Sequence, residues 1–177
     1  NNLKGIKKKL FFWAVGLGLK YKPFGENGWI YERKLKIADK LIFSKWRKAL
    51  GGNVRIVGCG GASLQARLER VFWAAGIKII NMYGLTETSP IITINRTEKG
   101  NVRLGSVGTI IEGVEIKIAD DGEILCKGPN VTPGYYKDPD LTRAAFDDEG
   151  WFHTGDIGHI EDGKFLMVTD RKKEIFK

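Results

Sequence analysis

VRIVGCGGASLQARLERVFWAAGIKIINMYGLTET, residues 54–88, decides the fold. Val54-Arg55-Ile56-Val57 is a short apolar run of strand length, and Gly58-Cys59-Gly60-Gly61 then forms a turn that a helix would not tolerate. Ser63 is placed to cap a helix whose buried face is Leu64, Leu68, Val71, Phe72 and Ala75, and Gly76 stops it. Ile77-Lys78-Ile79-Ile80 supplies a second strand. A strand–helix–strand of this length implies parallel pairing through a right-handed crossover. The loops after both strands then leave the same carboxyl edge of the sheet, where open α/β sheets bind ligands.

Outward from this βαβ unit the texture changes on both sides. Toward the N-terminus, Leu35, Ala38, Leu41, Ile42, Trp46 and Leu50 recur at helical spacing and give one apolar stripe. Gly25, Asn27 and Gly28 divide that region into two helices. From Gly105 onward short strands and turns take over. Val114 to Ile118 alternates, Asp120-Asp121-Gly122 turns the chain into Glu123-Ile124-Leu125-Cys126, and Phe152, Ile157–Ile160 and Phe165–Val168 continue around a turn at Glu161-Asp162-Gly163. A small antiparallel or barrel-like β subdomain is expected there. The expected organisation is a helical and βαβ part over 1–103, a β subdomain over 104–170, and a new domain starting at 171–177.

The 177 residues are 42% hydrophobic and 28% charged, a globular composition. Lys+Arg number 29 against 21 Asp+Glu, for a formal charge of +8, which favours anionic partners without choosing among them. Two distant cysteines, Cys59 and Cys126, support neither a disulfide framework nor a zinc cluster, and each lies in an apolar stretch, as a reduced, buried, cytosolic thiol would. The longest apolar run, Leu10 to Leu19, is about ten residues and too short to span a bilayer. A cytoplasmic protein is expected, with room for peripheral contact at the inner membrane surface. Because the chain opens on Asn1-Asn2 and stops at Lys177, it is read as a piece of a longer protein.

Four clusters carry chemistry. Glycines at Gly58-Cys59-Gly60-Gly61-Ala62, between strand and helix, let backbone approach a flat or anionic ligand, although such a turn also serves as a plain connection. Asn81-Met82-Tyr83-Gly84-Leu85-Thr86-Glu87-Thr88 offers a ring to stack a base, hydroxyls for phosphate and a carboxylate for a hard cation. A polar loop capping backbone groups explains it equally. In Trp151-Phe152-His153-Thr154-Gly155-Asp156, the aspartate after a Thr-Gly turn suits a ribose diol, against the ordinary reading of a solvent-facing turn residue. Asp170-Arg171-Lys172-Lys173-Glu174 could bring Arg171 to ribose or phosphate, or be a solvated loop. His153 is read as structural, and His159 is assigned no role.

In that order, and joined by Gly134-Tyr135-Tyr136-Lys137-Asp138-Pro139, Gly105–Gly108 and Gly122–Pro129, these motifs resemble the adenylate-forming superfamily. Acyl-CoA synthetases, luciferases and peptide-synthetase adenylation domains belong to it. The resemblance runs from about Val54 to the end. The basic N-terminal helices and the Asp-Arg-Lys-Lys-Glu form resemble the bacterial long-chain fatty acid:CoA ligases. It implies that Gly60, Gly61 and Ala62 line the adenine and acyl-adenylate site, that Asn81 meets the adenine edge and that the Tyr83 ring packs on its face. Met82, Gly84 and Val168 would complete that site, with an acyl tunnel behind Tyr83–Gly84. Thr86 would contact phosphate and Glu87 would hold Mg²⁺, these two forming the catalytic pair. Asp156 would bind the ribose hydroxyls with Arg171 assisting, and Asp170 would be the hinge of a rotating C-terminal domain. The implied activity converts a long-chain fatty acid, with ATP and CoA, to acyl-AMP and then acyl-CoA.

The family's Ser/Thr/Gly-rich phosphate loop and the lysine of its C-terminal domain are not found in these residues, so the piece alone is expected to be inactive. An adenylate-forming ligase for another acid, or a degenerate homologue acting as a binding module, remain alternatives. A nucleic-acid-binding module would explain the charge but not Tyr83–Thr88 or Thr154–Asp156, so no nucleic acid is expected. Oligomeric state is not legible.

Overall fold

The computed structural model describes residues 4–62 and 64–172. The expected cap Ser63, and Lys173 and Glu174 of the charge cluster, lie outside the described residues. Two compact units result, residues 1–59 with 64–80, and residues 60–63 with 81–177. The chain passes from the first of these units into the second at Ile80/Asn81.

In the first unit, α1 (Gly5–Gly18), a 3-10 turn (Pro23–Gly25), α2 (Trp29–Ala38), a π-turn (Asp39–Phe43) and α3 (Ser44–Ala49) precede β1 (Ile56–Cys59) and α4 (Ala66–Ala74). The two helices expected before residue 50 are thus three, with the third fused to the second. A π-turn holds one residue more than an α-turn and rotates everything after it. The apolar stripe shifts accordingly. Phe43, outside the expected stripe, is fully buried with Ala38, while Leu41 and Leu50 face solvent. Leu35, Ile42 and Trp46 keep their places against the core.

α4 packs on α1 because Gly18 has no side chain: a Cβ there would lie 3.0 Å from the Val71 Cα. Its C-terminus closes as expected, with Gly76 at φ +73° and the Ile77 N–H donating to the Phe72 carbonyl at 2.9 Å. Arg47 locks this end, its guanidinium donating to both the Asp39 carboxylate and the Ala75 carbonyl at 2.5 Å. Leu68, expected inside, is exposed, and Glu69 takes a buried position on the same helix. The strands are displaced from their expected places. β1 begins two residues late and takes in Gly58 and Cys59, which its extended backbone tolerates, so Cys59 is half-buried rather than core.

β2 (Lys78–Tyr83) runs on from the first unit into the second. Asn81, Met82 and Tyr83 are therefore strand residues, not loop. β2 is followed by β3 (Thr93–Ile94) and β4 (Thr109–Ile110), and the sheet order is β1-β2-β3-β4, with β2–β3 and β3–β4 antiparallel. A second sheet is the expected antiparallel meander: β5 (Glu115–Ile118), β6 (Glu123–Lys127), β7 (Phe152–Glu161) and β8 (Phe165–Arg171), paired in chain order. α5 (Pro139–Ala145) starts on the Asp138 side chain, which accepts from the Leu141 N–H at 2.9 Å. Ile92, Val114 and Cys126 form the core around which Tyr83, Leu85 and Ile110 pack.

Burial pushes the Cys126 thiol up to about 11. The folded state holds it neutral, while the unfolded chain ionises near 8.5. Its stabilising contribution is whole below that ordinary value and is lost as pH rises toward the folded one. Cys126 should resist a disulfide reagent at pH 8 until the protein unfolds. Cys126→Ala should flatten the fall in melting temperature between about pH 8.5 and 11, measured against wild type. Equal alkaline slopes for the two proteins would contradict this.

Candidate functional site

Apart from Gly58 and Cys59, the residues singled out in the sequence for nucleotide chemistry fall in the second unit. Its centre is Asp156, only 5% exposed and placed in the middle of β7 rather than on a Thr-Gly turn. A buried carboxylate needs partners. Asp156 has two: the Tyr83 hydroxyl donates to Oδ2 at 2.9 Å and Arg171 Nε donates to Oδ1 at 3.1 Å. Burial first, and then the neighbouring Asp156 charge, hold the Tyr83 hydroxyl far above the usual phenol range, so it stays a donor.

Two bulges deliver Asp156 to this place. Between β6 and β7, Glu123 faces Ile157 and Leu125 faces His153, so Thr154-Gly155-Asp156 opposes Ile124 alone. Gly155 makes the irregularity with φ +71°, and the freed amides find side chains: Gly155 N–H donates to Glu123 Oε1 at 2.9 Å and Asp156 N–H to Thr154 Oγ1 at 3.2 Å. Between β7 and β8 the register shifts again next to Asp156, which pairs with Arg171 while Gly158 pairs with Val168. Val168 is half-buried on β8. Asp170, the expected hinge, is exposed on the same strand opposite Ile157, and its carboxylate accepts from the Arg171 N–H at 2.8 Å.

Around the Tyr83 end, Gly60 sits close over Met82, where an added Cβ would come within 3.0 Å of Met82 Cγ. Gly61, at φ +74°, and Ala62 are exposed, and a Cβ on Gly61 would meet nothing within 4 Å, so this backbone presents an open face. Asn81 is buried, its amide donating to the Ser106 carbonyl at 3.4 Å. At Gly84 a Cβ would lie 1.9 Å from the Pro90 carbonyl oxygen, so close backbone approach requires glycine there.

Thr86 and Glu87 stand on a 3-10 turn, Thr86–Thr88, and are held from the side. The Thr132 N–H donates to the Glu87 carbonyl at 2.7 Å, and the Asn130 amide donates to the Thr88 and Ile91 carbonyls at 3.0 and 2.9 Å. Thr86 is exposed and Glu87 half-buried. Glu87 Oε1 accepts from the Tyr135 hydroxyl at 2.9 Å, which, after burial, raises that hydroxyl's pKa and keeps it a donor. Tyr83, Asp156 and Arg171 thus meet directly, whereas Glu87 stands apart with Tyr135.

Two residues at this site were given no role by the sequence reading. Tyr135 was visible only as part of a motif. Glu123, 3% exposed, lies on a strand whose neighbours are apolar, and a charged residue in that position was the available signal. It binds Lys172 Nζ at 2.7 Å and His153 Nδ1 at 3.0 Å besides Gly155. His153 thus has a partner within the β sheet. Burial would raise the Glu123 pKa, but Lys172, His153 and the Gly155 amide outweigh it and hold the carboxyl below its usual range.

The profile of a family described as AMP-binding enzyme matches residues 28–136, more than half of the chain. The chain belongs to the AMP-binding enzyme family. Among its relatives, the long-chain-fatty-acid–CoA ligase FadD15 of Mycobacterium bovis is 42% identical over 151 residues, covering 85% of this chain and 25% of that protein. Long chain acyl-CoA synthetase 3 of Arabidopsis thaliana is 36% identical over 97% of this chain and 27% of its own. The chain spans about a quarter of the length of these curated relatives. Among solved structures, ATP-bound MatB of Rhodopseudomonas palustris superposes with a TM-score of 0.64 at 34% identity, covering 71% of this chain and 27% of that one. O-succinylbenzoate CoA synthetase of Bacillus subtilis, in complex with ATP and magnesium ion, gives 0.60 at 30% identity, covering 73% of this chain and 30% of its own. These likenesses support the mixed α/β architecture of an adenylate-forming large domain.

Proposed function

We propose that the full-length protein carrying these residues activates a long-chain fatty acid with ATP and transfers it to CoA. The observation that carries the reading is Asp156, buried between Tyr83 and Arg171 in a family member whose relatives are named long-chain ligases. A buried aspartate with its carboxylate so fixed is an acceptor for a ribose diol, and the Tyr83 ring beside it offers a face for the base. Gly60, Gly61, Ala62, Asn81, Met82, Gly84 and Val168 would complete the nucleotide pocket. Thr86 would donate to phosphate, and Asp170 would be the hinge before a small C-terminal domain beginning at 171.

Among the described residues no group of three or more His, Cys, Asp or Glu could hold a metal ion alone. A single half-buried carboxylate beside an exposed hydroxyl, Glu87 beside Thr86, fits Mg²⁺ shared with substrate phosphates. When bound, the ion would neutralise charge on the triphosphate. The chain's own part is to fix geometry: Asp156 and Arg171 hold the sugar, Tyr83 the base, and the 86–88 turn the phosphate end. The fatty acid carboxylate attacks the α-phosphorus and pyrophosphate leaves. The CoA thiol then attacks the acyl carbon and AMP leaves.

No helix among the described residues is long and apolar enough to cross a membrane. Peripheral membrane contact of a cytoplasmic protein would use α1, where exposed Ile6 and Phe12 stand beside Lys7, Lys8 and Lys9. The test of function is acid-dependent ATP–pyrophosphate exchange by the full-length protein across short, medium, long and aromatic acids. Exchange driven by long-chain acids is the expected result. Exchange with only a short or aromatic acid would keep the mechanism and remove the substrate class, and none from folded protein would leave a degenerate homologue.

A further inference from the structure

Glu123 lies outside the Tyr83–Asp156–Arg171 contact, yet it is tied to both strands that form it. Its Oε1 accepts from the N–H of Gly155, the residue before Asp156. Its Oε2 accepts from the ammonium of Lys172, the residue after Arg171. Lys172 makes a second ion pair with Asp121 at 2.6 Å, and its own N–H donates to the Gly155 carbonyl at 2.9 Å. One buried carboxylate therefore bridges β7 and β8 within one residue of each sugar-binding candidate, at the point where two bulges interrupt the ladder.

We propose that Glu123 and Lys172 form a positioning clamp that sets the Asp156–Arg171 pair for the ribose of the nucleotide. This rests on the reading of Asp156 as the ribose acceptor. The physical need is evident from the bulges. Bulged residues lose ladder hydrogen bonds, and a strand so interrupted can slide or twist unless its free amides are held. Thr154 holds the Asp156 amide, and Glu123 holds the amide of Gly155, which at φ +71° lacks the steric restriction that a side chain imposes. Lys172 extends the hold to the end of β8, where Arg171 is itself largely exposed and its guanidinium has Asp156 as its described partner. A charge-assisted pair with one member buried is a stiffer tie than the neutral ladder bond it replaces.

Lys172 also sits two residues after Asp170. Any rotation of the following chain about that point must either break the Lys172–Glu123 pair or turn around it. The clamp thus couples sugar positioning to where the chain goes next.

The experiment compares Glu123→Gln, Lys172→Met and Lys172→Arg in the full-length protein, reading pyrophosphate exchange with ATP and with 2′,3′-dideoxy-ATP. Asp156→Ala is the control for the ribose reading. Wild type should prefer ATP by about 100-fold in kcat/KM, the size of losing charge-assisted hydrogen bonds to two hydroxyls, and Asp156→Ala should erase most of it. Glu123→Gln and Lys172→Met should each cut that preference about tenfold, through KM for ATP, leaving KM for the fatty acid unchanged. Lys172→Arg should restore it. Lys172 is partly exposed, so its variants fold even where a change at Glu123 does not. Full discrimination in a folded Lys172→Met protein overturns the clamp alone. No discrimination in wild type overturns the ribose reading and the clamp with it. An equal loss for ATP and the fatty acid would mark a merely structural role and also overturn the clamp.

Discussion

Gly108→Ala is expected to stop residues 81–172 from packing, with a loss of about 3–5 kcal/mol or more. Gly108 has φ +91°, and a Cβ there would fall 2.0 Å from both the Asn95 nitrogen and the Ile94 carbonyl carbon. Those are backbone atoms and cannot swing away. The strain is compounded because the Gly108 N–H donates to Ser106 Oγ at 3.1 Å, inside a buried polar cluster in which the Asn95 amide also bonds the Arg103 and Ser106 carbonyls. Moving the backbone by an ångström would unpair several of these groups at once. Gly100→Ala is the control, since Gly100 shares a positive φ of +83° but a Cβ there meets nothing within 4 Å. It should cost about 1 kcal/mol from conformation alone. Urea unfolding of the two variants measures the difference. Midpoints that agree would show that the approach at Gly108 can relax.

The second large effect is expected at Glu87. In Glu87→Ala, acid-dependent pyrophosphate exchange should fall by about 10²–10³-fold, because the carboxylate that would hold the charge-neutralising Mg²⁺ on the triphosphate is removed. The melting temperature should change little, since the side chain is half-buried and its described tie is one hydrogen bond to Tyr135. Tyr135→Phe should retain the carboxylate but free it to rotate, with a loss of about tenfold and a raised requirement for Mg²⁺. Exchange in Glu87→Ala near the wild-type rate would remove Glu87 from the reaction. A Tyr135→Phe protein identical to wild type would show that the hydrogen bond is incidental.

Element types were legible in the sequence wherever period and punctuation agreed. The β5–β6 and β7–β8 hairpins follow from alternation and from Asp-Gly turns, and Gly76 stops α4 where a left-handed residue was needed. What could not be read was long-range. Nothing local distinguishes Thr154-Gly155-Asp156 as a bulge inside a ten-residue strand from the turn that the same residues make elsewhere. The deciding bonds come from Glu123 and from Ile124, whose carbonyl accepts from Thr154 Oγ1 at 2.7 Å. Periodicity placed Leu68 inside, and Glu69 is there instead, because tertiary packing rather than one helix's pattern chose the buried face. Asp156, Tyr83 and Arg171 were each named from motifs. Their meeting depends on the pairing of β7 with β8 and on β2 running three residues past its expected end.

The π-turn at Asp39–Phe43 bears on how this chain is lined up with others. A π-turn inside an otherwise continuous helix sets every residue after it one position out of step with a regular helix. A relative whose helix is regular through this point would therefore match with a single-position gap inside a helix, where gaps are ordinarily penalised. An alignment that refuses the gap would pair Phe43 with a solvent position and spoil the match over all of α3. Scored by which residues are inside, the gap belongs between Asp39 and Phe43, and Arg47 then keeps its place over the end of α4.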